Sequence, residues 1–130
     1  MRTRNVDKHK YQNYLKKADE FFQVMNDSFA HKNYNATVVN AVHCAISAAD
    51  GLTVFYKGVR HAGEKHEDVV SLINMLGIAG IENKTRQLLR LLQLKNSAEY
   101  EETLMSESDA LDAIKNAERL FSWVSQFLKS

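Results

Sequence analysis

Four polar residues share one face of an otherwise apolar stretch. Asn40, His43, Ser47 and Asp50 stand three and four positions apart within NYNATVVNAVHCAISAADGLTVFYKG, residues 33–58, so a helix there carries them in a single line. Such a line must meet water, a partner or a ligand, because polar groups are not left unpaired in an apolar setting. Imidazole, hydroxyl, amide and carboxylate in a row suit a small polar ligand, a nucleotide or the seam of a dimer. The plainer alternative is a half-exposed face on which His43 bonds a neighbour. Asp50, on the same line, would raise the pKa of His43.

Two further groups have side chains able to do chemistry. His61, Glu64, His66 and Asp68 are metal-ligand types, but their run matches no spacing with a rigid coordination geometry, so a solvated charged loop is expected and no metal. Lys84, Arg86 and Arg90, with Lys95 beyond them, could meet RNA phosphates together with Lys57, Arg60 and Lys65. An ordinary solubilising face, paired with the acids between Glu99 and Glu107, explains them equally well.

The elements that position these groups are helical. The chain has 130 residues, 45% hydrophobic and 25% charged, with no proline and five glycines. That composition fits one domain, residues 1–130, able to bury about two-thirds of its unfolded surface, and it favours long uninterrupted helices. The single cysteine, Cys44, allows no intramolecular disulfide and reads as a small core residue in a reducing compartment. Neither a signal-peptide pattern nor a membrane-length apolar run is evident, so a cytoplasmic protein is expected. The net charge of +1 excludes a globally basic nucleic-acid binder. It hides an asymmetry: Arg2, Arg4, Lys8, Lys10, Lys16 and Lys17 crowd the start, and acids dominate residues 99–118.

Residues 1–10 are polar and expected to fray. Tyr11, Tyr14, Leu15, Ala18, Phe21, Phe22, Met25 and Phe29 then recur at helical spacing. A Lys32-Asn33 turn leads into the apolar stretch, the central helix of a bundle. A loop follows Gly58, then a short helix with Val69, Val70, Leu72, Ile73 and Leu76, stopped by Gly77. A fourth helix over about 83–95 presents Leu88, Leu89 and Leu92 inward. Its five leucines in residues 88–94 exceed what a small bundle needs and favour a homodimer. Ser106 and Asp109 open the last helix as a cap and its third-position acid. The aromatic residues Tyr11, Phe21, Phe22, Phe121, Trp123 and Phe127 read as core rather than as base-stacking platforms. The fold class is therefore all-α, an up-and-down bundle of four to five helices.

The order of NAVHCAISAADGL, GEKHEDVVSLI, LKNSAEYEE and DALDAIKNAERLF resembles the HEPN superfamily, small helical domains of toxin–antitoxin, defence and RNA-processing systems. Active members are metal-independent ribonucleases, in which an Arg and a His about four to six residues apart act together. The His takes a ribose 2′-hydroxyl proton and the Arg offsets transition-state charge on the phosphate. At the place of that motif, near a late helix, this chain carries Lys95 and Tyr100. Lysine lacks the planar fork of arginine, and tyrosine, with a pKa near ~10, is a poor base at neutral pH. A literal Arg-x5-His stands instead at Arg60 and His66. The resemblance thus implies a homodimeric, non-catalytic module without a cofactor, recognising RNA, a nucleotide or a partner protein such as a toxin–antitoxin nucleotidyltransferase. The alternatives are a metal-independent ribonuclease using His66 with Arg60 or Lys95, and a purely structural homodimer.

Overall fold

Helices form where the apolar spacing asks for them. A computed structural model of the chain describes residues 1–63, 65 and 67–129. It contains α1 (Tyr11–Ala30), α2 (Tyr34–Lys57), α3 (Glu67–Asn74), α4 (Ile81–Tyr100) and α5 (Glu107–Lys129). The all-α expectation holds, with five helices among the described residues.

α2 occupies the centre and packs against α1, α3, α4 and α5. Val38, Ala41, Val42, Cys44, Ala45 and Ala48 are fully buried, and small side chains let neighbouring backbones come close. At Gly51 a Cβ would lie 3.2 Å from Leu15 Cδ2 and 3.5 Å from the Tyr11 carbonyl, so α1 rests almost on the α2 backbone there. By length and composition α2 could cross a membrane, contrary to expectation. However, 78% of its most apolar window is buried inside the bundle, and that burial accounts for the composition.

The ends of the helices follow from specific residues. Gly58 closes α2 in the left-handed region at φ 64°, its N–H bonded to the Val54 carbonyl, a conformation that costs glycine no steric penalty. Ser106 and Asp109 form the expected reciprocal cap: the Asp109 N–H donates to Ser106 Oγ at 3.1 Å and the Ser106 N–H to Asp109 Oδ2 at 3.0 Å. Asn35, in the first turn of α2, latches the α4–α5 connection. Its amide donates to the Ala98 carbonyl at 3.0 Å, and its Oδ1 accepts from the Met105 N–H at 2.8 Å.

The structure differs from the sequence expectations at three places. Residues 1–10 do not fray throughout: β1 (Thr3–Asn5) pairs antiparallel with β2 (Val59–His61), and a 3₁₀ turn at Lys8–Lys10 is capped by the Asp7 carboxylate. The pairing satisfies backbone groups on both sides, with Val6 N–H to the Gly58 carbonyl at 2.8 Å and Ala62 N–H to the Arg2 carbonyl at 2.9 Å, which sets the start of the chain against the end of α2. α4 runs on to Tyr100, so Lys95 lies inside a helix. Leu89, expected inward, is exposed; Leu88, Leu91 and Leu92 are the leucines that reach the core.

Candidate anion-binding cleft

Lys10, at the N-cap of α1, and Tyr14, Lys17 and Phe21 within it stand at steps of four, three and four, which puts them in one stripe of alternating cation and aromatic ring. Lys17 Nζ lies 5.6 Å from the centre of the Tyr14 ring, within range of a cation–π contact. This stripe is one wall of a cleft of about 610 Å³, whose floor is Ser47 and Asp50 of α2 and whose far wall is the β1–β2 ribbon with Arg4 and Arg60. The volume suits a small-molecule or single-nucleotide site.

The ribbon places two like charges side by side. Arg4 and Arg60 are direct partners in the β1–β2 register, so their side chains leave the same face of the ribbon. Like charges directly opposite each other are destabilising on their own, and the pair is therefore poised for an anion held between two guanidinium forks. Arg60 also donates from Nη1 to the His61 carbonyl at 2.8 Å. In the cleft the cations Arg4, Lys10, Lys17 and Arg60 face the carboxylates Asp7 and Asp50, leaving a positive balance.

Asp50 has a partner that sequence spacing did not suggest. Its Oδ1 accepts from His61 Nδ1 at 3.2 Å, and both residues are buried. This contact ties β2 to α2 one residue beyond Arg60. His61 is thus committed to the fold rather than to a metal cluster. Glu64 and His66 lie outside the described residues, and among the described residues no three His, Cys, Asp or Glu side chains stand together as metal ligands.

The polar line on α2 divides into two environments. Ser47 and Asp50 open into the cleft, while Asn40 donates to the Ala36 carbonyl at 2.8 Å within its own helix. His43 stacks on Phe21, with ring centres 5.4 Å apart, and its Nε2 is 4.0 Å from Glu99 Oε1. Burial lowers the His43 pKa, the Glu99 carboxylate opposes that shift, and Lys95 adds to it. Asp50 is not among the groups that shift it; seven residues of α2, about 10 Å at helical rise, separate the two. Phe21 links the two environments, since it both lines the cleft and covers His43.

The remaining candidates sit elsewhere. Lys95 Nζ donates to Glu99 Oε2 at 3.0 Å and lies 5.5 Å from the centre of the Tyr100 ring, so Lys95, Tyr100 and His43 gather around Glu99. Arg86 bonds Asn83 Oδ1 at 2.8 Å on its own helix. Arg90 Nη1 is 3.9 Å from Asp112 Oδ1 in an exposed pair, and Lys84 Nζ lies 5.9 Å from the centre of the Trp123 indole ring. None of these lines the cleft that holds Arg60. Arg4, Lys10, Tyr14, Lys17 and Phe21 were not anticipated as site residues. The alternation of cation and aromatic along one face of α1 was the available signal.

Comparison with curated proteins finds no match. The model of one protein family, described as the HEPN domain, matches residues 11–127. That match runs from the first residue of α1 to near the end of α5 and covers nearly the whole chain, and with the helical bundle above it shows that the chain belongs to the HEPN domain family.

Proposed function

We propose that this HEPN domain is a binding module for phosphate-bearing ligands, RNA or a nucleotide, and that it holds them in the cleft between α1, α2 and the β1–β2 ribbon. The observation that carries this reading is the in-register Arg4–Arg60 pair facing Lys10 and Lys17 across that cleft. Two planar guanidinium groups grip phosphate oxygens bidentately, and lysines on the opposite wall add point charges. Tyr14 and Phe21 offer ring faces on which a base can stack. Asp50, bonded to His61 through Oδ1 alone, and Ser47 supply acceptors for ribose hydroxyls.

A ribonuclease reading retains one specific support: Arg60, the cation of the Arg-x5-His sequence, lies in this cleft. Lys95 would serve that chemistry less well, because it is bonded to Glu99 away from the cleft. One experiment separates the two readings. Fluorescently labelled single-stranded RNA is incubated with the purified chain in chelator, its anisotropy is followed, and the RNA is then run on a denaturing gel. Binding of intact RNA that is lost in Arg4→Ala/Arg60→Ala is the expected result. Cleavage abolished by His66→Ala would replace the binding module with a metal-independent ribonuclease. Binding that survives removal of both arginines would place the ligand elsewhere. The nucleotidyltransferase partner implied by the family is tested by co-purification against the same double variant.

A further inference from the structure

We propose that the cleft selects a terminal phosphate, the phosphomonoester end of an RNA or of a nucleotide, over the internal phosphodiesters of a strand. This rests on the cleft being the phosphate site and adds which kind of phosphate it takes.

The shape of the cleft argues for a chain end. Its two walls follow one another in the sequence: β1 carries Arg4 and Asn5, and α1 begins at Tyr11. The connection between them passes through Val6, Asp7 and Lys10, which line the cleft as well, so the walls meet and the space is closed on that side. Hydrogen bonds pin this connection. Val6 N–H donates to the Gly58 carbonyl at 2.8 Å and Lys10 N–H to the Asp7 carbonyl at 2.9 Å, and the Asp7 carboxylate accepts from the His9 N–H at 3.0 Å. A strand running through the cleft would have to leave past these residues, whereas a terminal group only has to enter. Residues 4–10 precede the span matched by the family, 11–127, so the closed side is built from a segment outside that span.

The charges argue for a dianion. Four cations, Arg4, Lys10, Lys17 and Arg60, face two carboxylates, Asp7 and Asp50, which leaves a surplus of two positive charges. Each carboxylate also accepts a hydrogen bond from within the protein, Asp7 from His9 and Asp50 from His61. A phosphomonoester brings a charge of about −1.5 to −2 at neutral pH and three terminal oxygens. A phosphodiester brings a single charge, and two of its oxygens are tied up in ester links. One guanidinium fork engages two oxygens when it binds bidentately. Two forks side by side, as the β1–β2 register sets them, therefore suit the three-oxygen end better than the link within a strand. Arg60 spends Nη1 on the His61 carbonyl, which steadies its fork and leaves its other N–H groups for the ligand.

The test varies only the ends of the RNA. Single-stranded octamers of one sequence, with a fluorophore on an internal base, carry a 5′-phosphate, a 3′-phosphate or hydroxyls at both ends, and anisotropy in chelator gives their affinities. A phosphorylated octamer should bind roughly tenfold tighter than the hydroxyl octamer, or more. Arg4→Gln/Arg60→Gln, checked for folding by circular dichroism, should bring the octamers to one affinity, and Arg4→Gln alone, at an exposed position, should remove part of the difference. Nucleoside 5′- and 3′-monophosphates then compete with the tighter octamer. Displacement at concentrations similar to those of the octamer itself assigns the site to free nucleotides, and displacement only at far higher ones assigns it to RNA ends. Equal affinity for all three octamers, weakened alike in the double variant, would overturn the selection of ends while leaving the cleft as a phosphate site. Affinities unchanged in the double variant, or a wild-type chain that binds none of the octamers, would overturn both.

Discussion

His61 and Asp50 meet inside the protein at 3.2 Å, Nδ1 to Oδ1, each less than a tenth exposed. The contact fixes where β2 lies on α2, and Arg60 is the residue just before it. Removing His61 leaves the Asp50 carboxylate buried without that hydrogen bond, which costs about 1–3 kcal/mol. His61→Ala is therefore expected to lower stability by an amount of that order in urea unfolding, and Asp50→Ala similarly. A loss below about 1 kcal/mol in both variants would mean that the pair does not hold the ribbon.

Asn35 should matter more than its place at a helix start implies. Its side chain joins both the end of α4 and the residue before the α5 cap to α2, through the Ala98 carbonyl and the Met105 N–H. Asn35→Ala removes both bonds and should cost about 2 kcal/mol. Asn35→Asp keeps the acceptor but loses the donor, and should fall between wild type and Ala. Equal stability of the wild type and Asn35→Ala would contradict the latch.

Cys44 is fully buried in the middle of α2, and burial, with Asp19 adding to it, pushes its thiol up to about 12. The thiolate is the reactive species, so native protein should resist iodoacetamide at neutral pH and react only as fast as it unfolds. Mass spectrometry showing rapid alkylation of the folded chain would contradict the burial.

His43 and Glu99 should make the protein sensitive to acid. Burial holds the His43 imidazole below its ordinary 6.5. For Glu99, burial raises the carboxyl, but hydrogen bonds from Lys95 and Tyr100 and the charges of Lys95 and His43 outweigh it, leaving the group below 4.5. In both cases the unfolded chain takes up protons first as pH falls, so their contribution is complete above about pH 6.5 and is lost below it, His43 first and Glu99 after. Tm should fall between pH 7 and 5, and His43→Gln should flatten that fall. An unchanged slope in the variant would exclude His43 as the cause.

The helices were legible in the sequence because burial imposes a period on the side chains, and the apolar stripes of α1, α2 and α5 are long enough to show it. Ser106 and Asp109 marked their cap for the same kind of local reason. The ribbon was not legible: TRN and VRH are three-residue strands without alternation, and they exist only because the end of α2 at Gly58 returns the chain beside its own start. The cleft was hidden with it, since Arg4 and Arg60 come together only through that pairing. Leu89 was misread because five leucines in seven residues give two possible faces, and packing on α2 and α5 chose the one with Leu88, Leu91 and Leu92.

The most direct test of the cleft is the salt dependence of RNA affinity, measured for the wild type and for Arg4→Gln/Arg60→Gln. Each phosphate contact on a single strand contributes about 0.7 to the slope of log affinity against log salt. Loss of both arginine contacts should reduce the slope by about 1.4, with affinity weakened at low salt, while Arg86→Gln/Arg90→Gln leaves it near the wild-type value. A slope unchanged in Arg4→Gln/Arg60→Gln, or reduced instead by the α4 substitutions, would contradict phosphate recognition in the cleft.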